Sequence, residues 1–135
     1  MLKRAQIETV LRSVTPNGED VIRSESAGTC LIEQTGVMLR YPEAENHGHA
    51  MLVVADGLAD LRRKGNVVSR MTFVEGRLLP CPYNAAGSEL DLSLYTHSFA
   101  FELYADGGRL RLEYTLLSGG VQVADNELTV AWTMQ

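Results

Sequence analysis

The chain is poor in the features by which many small proteins are stapled, targeted or recognised. Its only two cysteines, Cys30 and Cys81, stand alone in neither a CxxC nor a metal-ligand spacing. A disulfide framework and a structural zinc site are thereby excluded, and the pair reads as reduced, buried thiols of a cytoplasmic protein. Positive charge is scarce too, with 12 Lys and Arg against 17 Asp and Glu for a net charge of -5. That leaves no footprint for nucleic acid, and the one small basic cluster, Arg62, Arg63 and Lys64, reads at first as a solvated turn. No segment approaches the roughly 20 apolar residues of a membrane span. The start, MLKRAQIETVL, alternates polar and apolar residues, so no signal peptide is expected there.

Catalytic signatures are equally sparse. There is no P-loop, no GxGxxG and no HExxH. His47 and His49 flank Gly48 near Glu43 and Glu45, a pattern that reads as a solvated turn, so neither a metal nor another cofactor is expected. His97 lies between Thr96 and Ser98 without a third member or a GxSxG elbow, and reads as a strand residue. The expectation is a protein that is not an enzyme.

What the chain does have is alternation. With 135 residues, 45% of them hydrophobic and 21% charged, it suits one domain spanning 1–135 with its own core. Nowhere do apolar residues recur at i, i+3, i+4 and i+7 with helix caps. Instead, strands are predicted at 3–14, 20–34, 37–43, 49–55, 58–63, 67–74, 77–83, 88–104, 109–117 and 121–134. Turn residues such as Pro16-Asn17-Gly18, Asp56-Gly57, Asp106-Gly107-Gly108 and Gly119-Gly120 separate them. A bend is expected at Ser26-Ala27-Gly28, and a phase change within 88–104, where Leu90, Leu92 and Leu94 give way to Phe99, Phe101 and Leu103.

So many strands without a covering helix would leave two bare edges unless the sheet closes on itself. The predicted fold is therefore all-β, a single closed antiparallel up-and-down barrel of about eight to ten strands, with a two-sheet sandwich as the alternative. Phase assigns the interior. Val37, Leu39, Tyr41 and Glu43 share a face, as do Leu110, Leu112, Tyr114 and Leu116, and Leu128, Val130, Trp132 and Met134. Around Gly65, a three-residue loop, Lys64-Gly65-Asn66, puts Ala59, Leu61 and Arg63 on one face with Val67, Ser69, Met71 and Phe73. Asp60, Arg62 and Arg70 then face water. Segregation of polarity favours that register over a two-residue loop, and it moves Arg63 from the turn cluster to the inner face.

Polar residues on the inner phase become the candidate site: Tyr41, Glu43, Arg63, Tyr83, Thr96 and Tyr114. Glu43, Arg63 and Tyr83 each precede a loop at the same end of a meander. An inward arginine near a carboxylate is expected to pair with it, and Tyr83 or Tyr114 is expected to hydrogen-bond that pair.

Taken in order, Tyr41-Pro42-Glu43, Arg63-Lys64-Gly65 followed by Met71, Phe73 and Gly76, Tyr83 with Gly87, Thr96, and Gly108-Arg109-Leu110 leading to Tyr114 resemble the YwiB-like family of uncharacterised bacterial proteins. The likeness runs from about Val21 to Trp132. It implies a calycin-like barrel, of the lipocalin and streptavidin type, with no established activity and no catalytic residue to transfer. Pro42 departs from the family pattern and predicts a strand that is bulged or locally unpaired there.

Two functions follow as expectations. One is a non-catalytic module holding a small polar or anionic ligand at one barrel mouth. The other is a structural or protein-interaction domain that uses its outer wall, with Val10, Leu52, Val54 and Val68 on the outer or ambiguous phase and a homodimer as one form of it. Neither involves nucleic acid or membrane.

Overall fold

Alternating side chains set these segments as strands, and Gly-containing turns reverse them nine times without an intervening helix. The computed structural model describes residues 1–135 and contains β1 (Leu2–Thr15), β2 (Gly18–Glu33), β3 (Gly36–Glu43), β4 (Gly48–Ala55), β5 (Leu58–Lys64), β6 (Val67–Phe73), β7 (Leu78–Ala85), β8 (Ser88–Tyr104), β9 (Gly107–Ser118) and β10 (Val121–Met134). Each strand pairs antiparallel with its neighbours in sequence, and β10 closes on β1. The result is a closed ten-stranded up-and-down barrel rather than a sandwich. No helix is long and apolar enough to cross a membrane.

The waist is filled by side chains. Ile7, Leu39, Leu52, Phe73, Leu94, Leu110 and Leu112 are fully buried, and Trp132 stacks on Phe101 at 6.2 Å. Phe73 of β6 meets Tyr114 of β9 edge-on at 4.9 Å. Those strands are not neighbours, so this contact spans the interior. In β4 the phase is Ala50, Leu52 and Val54 inward, all buried. Leu52 and Val54 therefore belong to the core and not to an outer patch, because their cross-strand partners, Leu39 and Leu61 for Leu52 and Val37 and Ala59 for Val54, are themselves inward. Val68 is half-exposed, on the outer side.

Of the expected irregularities, the one in β8 is present. The ladder between β8 and β9 slips between Thr96 and Ser98, which reconciles the two phases of β8 and leaves His97 as the extra residue. A second slip lies between Gln122 and Ala124 in β10. Strand β2 continues unbroken through Gly28, where the requirement is close approach: a Cβ there would lie 2.2 Å from the Arg40 carbonyl oxygen. Pro42 does not bulge β3, for its pairing with β4 is regular through Glu43 opposite Gly48. On its other side, however, the β2–β3 ladder stops at Thr29 opposite Arg40. The Ser26 hydroxyl instead donates to the Pro42 carbonyl at 3.1 Å.

Candidate functional site at the barrel mouth

Cross-strand register builds the site directly. Opposed pairs run Tyr41 with Ala50, Ala50 with Arg63, Arg63 with Ser69, Ser69 with Tyr83, and Tyr83 with Leu90. Opposed residues share a face, so Tyr41, Arg63, Ser69, Tyr83 and Leu90 form one inward row across β3 to β8. Glu43 stands two residues nearer the rim.

At this rim Arg63 Nε donates to both Glu43 oxygens, at 3.0 and 3.2 Å. Both side chains are mostly covered, and the charge-assisted contact fixes β5 against β3 across the intervening β4. Neither Tyr83 nor Tyr114 hydrogen-bonds the pair. The group that does is Asn46, whose Nδ2 lies 3.4 Å from Glu43 Oε1.

Asn46 also accounts for the loop between β5 and β6. Its amide donates to the Val67 carbonyl at 3.0 Å and accepts from the Val67 N–H at 2.6 Å, while its own carbonyl accepts from the Asn66 N–H at 2.8 Å. With both main-chain groups of Val67 committed to Asn46, Arg63 closes the hairpin opposite Ser69 and not opposite Val67. The predicted inward face survives because the difference is two residues, one full strand period. Gly65 is required in this loop, since a Cβ there would sit 2.1 Å from the Asn46 carbonyl oxygen.

The other candidate residues separate by depth. Tyr41 is buried, and burial, reinforced by the Glu43 charge and opposed by Arg63, holds its phenol above the usual tyrosine range. Tyr114 lies within the core, where burial pushes its phenol up to about 12 despite the opposing influence of the neighbouring Asn126 amide. Tyr83 is half-buried and its hydroxyl makes no hydrogen bond within the protein. Thr96 is not at this mouth. Its main chain bonds Gly76 and Arg77 of the β6–β7 connection, which lies at the opposite end, and its buried hydroxyl has no partner.

A hollow of about 730 Å³ opens beside the row, between the β5–β6 and β7–β8 hairpins. Arg62, Arg63, Lys64, Arg70, Ser69 and Tyr83 line it, with Glu89 as its acidic residue. The wall is thin here because β6 and β7 share only three residue pairs, Val67 to Ser69 against Ala85 to Tyr83. The next opposition would bring Arg70 to Pro82, which has no N–H to donate, and the ladder ends. Ser69 is 5% exposed, and its hydroxyl has no hydrogen-bond partner. Sequence phase had already placed this serine on the inner face, and its polarity among apolar neighbours was the available signal. Asn46 gave none beyond a turn residue.

His97 belongs to a separate arrangement on the outer wall. The Thr115 hydroxyl donates to Asp125 Oδ1 at 2.6 Å, so its oxygen accepts from His97 Nε2 at 2.7 Å. The imidazole is a donor to this hydroxyl and cannot act as its base.

A family model for a domain of unknown function, DUF1934, matches residues 6–130. The chain belongs to the DUF1934 family. The uncharacterized β-barrel protein YwiB of Bacillus subtilis (strain 168) is 26% identical over 116 residues, covering 84% of this chain and 82% of that protein. The crystal structure of the ywiB protein from Bacillus subtilis superposes with a TM-score of 0.88 at 20% identity, over 99% of this chain and 93% of that one. This likeness shows that the barrel fold is shared with the ywiB protein, and the resemblance drawn from the ordered motifs is borne out.

Proposed function

We propose that this barrel is a non-catalytic module that binds a small anion at the mouth formed by β5 to β8. The observation that carries the reading is Ser69, a residue lining a hollow rich in cations, whose hydroxyl is buried and unpartnered just beneath it. A buried hydroxyl without a partner costs free energy, and a ligand oxygen would remove that cost. Arg63 is held in place by Glu43, while the Tyr83 hydroxyl is unpaired beside it. Lys64 adds positive charge in a protein of net charge -5, while Arg70 is already paired with Asp60. Guanidinium, hydroxyl and phenol donors together suit a carboxylate or phosphate oxygen set.

The up-and-down closure supports kinship with calycins, which also use one barrel mouth. Two free, buried thiols support a reducing, cytoplasmic setting.

Thermal shift against inorganic phosphate, succinate and citrate tests the reading. A stabilisation that grows with anion concentration in the wild type and falls at least several-fold in Ser69→Ala and Tyr83→Phe supports it. Equal shifts in wild type and both variants, or no shift with any anion, would overturn it.

A further inference from the structure

In a closed barrel every strand has a neighbour on each side and one covered face. The first half of β2 has neither. Its pairing with β1 extends to Thr15 opposite Gly18, whereas pairing with β3 begins only at Thr29. Every residue from Gly18 to Glu25 is exposed on whichever face it points to, including Val21 at 49% and Ile22 at 48%. Main-chain groups along this edge have no strand beside them, which makes the edge a template for another strand.

Charges on an edge often block such pairing, but here they alternate in sign. On the outer wall Arg111 of β9 bonds Glu113 at 3.3 Å and Glu127 of β10 at 3.2 Å. Glu127 stands opposite Arg12 of β1, which pairs with Glu19 of β2 at 2.5 Å. This ladder of opposite charges crosses four strands and stops at the bare edge on Glu19. Four residues along the same edge, on the same face, Arg23 has no acidic partner.

We infer that a second copy of this chain continues the ladder, with the two β2 edges pairing antiparallel about a two-fold axis at Val21. Glu19 then opposes the partner's Arg23, twice by symmetry, and Val21 opposes its own copy. Shifting the register by one strand period in either direction sets Glu19 against Glu25 or Asp20 against itself. Like charges directly opposite are unfavourable, so charge favours this register over both of its neighbours. The result is an isologous interface. The contact is short, and it forms a concentration-dependent dimer. It does not rest on the ligand-binding reading.

Sedimentation equilibrium over about 10 μM to about 1 mM protein tests it. The wild type should move from monomer toward dimer mass across that range. Arg23→Glu and Glu19→Arg, each checked for native circular dichroism, should each associate at least about 10-fold more weakly. Mixed in equal amounts, the two variants should recover dimer, because every opposed pair is then of opposite sign. A wild type that stays monomeric throughout overturns the inference, as do single variants that dimerise like wild type. Failure of the mixture to recover dimer overturns it too.

Discussion

The side-chain amide of Asn46 satisfies both the N–H and the carbonyl of Val67, at 2.6 and 3.0 Å, across two different hairpins. A main chain that would otherwise pair within its own β5–β6 hairpin is tied to the β3–β4 loop. The Glu43–Arg63 pair bridges the same two hairpins. Together they make one side of the barrel mouth a single hydrogen-bonded unit.

Replacing Asn46 with Ala leaves two partly buried main-chain groups unpaired. The expected loss is about 2 kcal/mol, read from urea unfolding midpoints at constant slope. Asn46→Asp keeps the acceptor for the Val67 N–H but loses the donor, and it adds a negative charge beside Glu43. It should be no more stable than the alanine variant by more than about 1 kcal/mol.

Glu43 and Arg63 are mostly covered, with 21% and 28% of their side chains exposed. Arg63→Ala and Glu43→Gln should each cost about 1–2 kcal/mol. A double-mutant cycle should return a coupling of about 1 kcal/mol, since each single change strands the other partner. A coupling of zero would show that the pair does not hold the mouth together.

Alkaline pH should unfold the barrel early. Burial raises Cys81 from 9.0 to about 11 and Tyr114 from 10.0 to about 12. A folded state that keeps protons the unfolded chain releases is fully stabilised below the unfolded values. It loses that stability as pH rises through the folded ones. Stability should therefore be flat up to about pH 8.5, then fall by up to roughly 1.4 kcal/mol per pH unit for each group titrating. Urea midpoints from pH 8 to 11 check this, and Tyr114→Phe should flatten the slope above pH 10.

Two buried hydroxyls, Ser69 and Thr96, lack partners. Their removal without loss of shape should leave the ligand-free protein as stable as wild type or about 1 kcal/mol more stable. Thr96→Val and Ser69→Ala provide the test by thermal denaturation. Thr96→Val should leave anion-induced shifts intact, because Thr96 lies away from the mouth, while Ser69→Ala should diminish them.

Much of this architecture was written locally. Period-two alternation and glycine-bearing turns define ten strands, and the need to bury an inner face sets most phases, including that of Arg63. Closure followed because a sheet of that many strands has no helix to cover it. The break in phase along β8 announced its bulge.

Long-range contacts decided the remainder. Leu52 and Val54 could be assigned to the core only once β3 and β5 flanked them with inward partners. The amide of Asn46 could meet Val67 only after the β3–β4 and β5–β6 hairpins stood side by side. The bare edge of β2 exists because β3 is half its length and carries Pro42, a mismatch between distant segments that neither reveals alone. Alternation acts between adjacent residues and is legible in the chain. Register, strand-length mismatch and unpartnered groups depend on which segments meet, and closure of the barrel determines that.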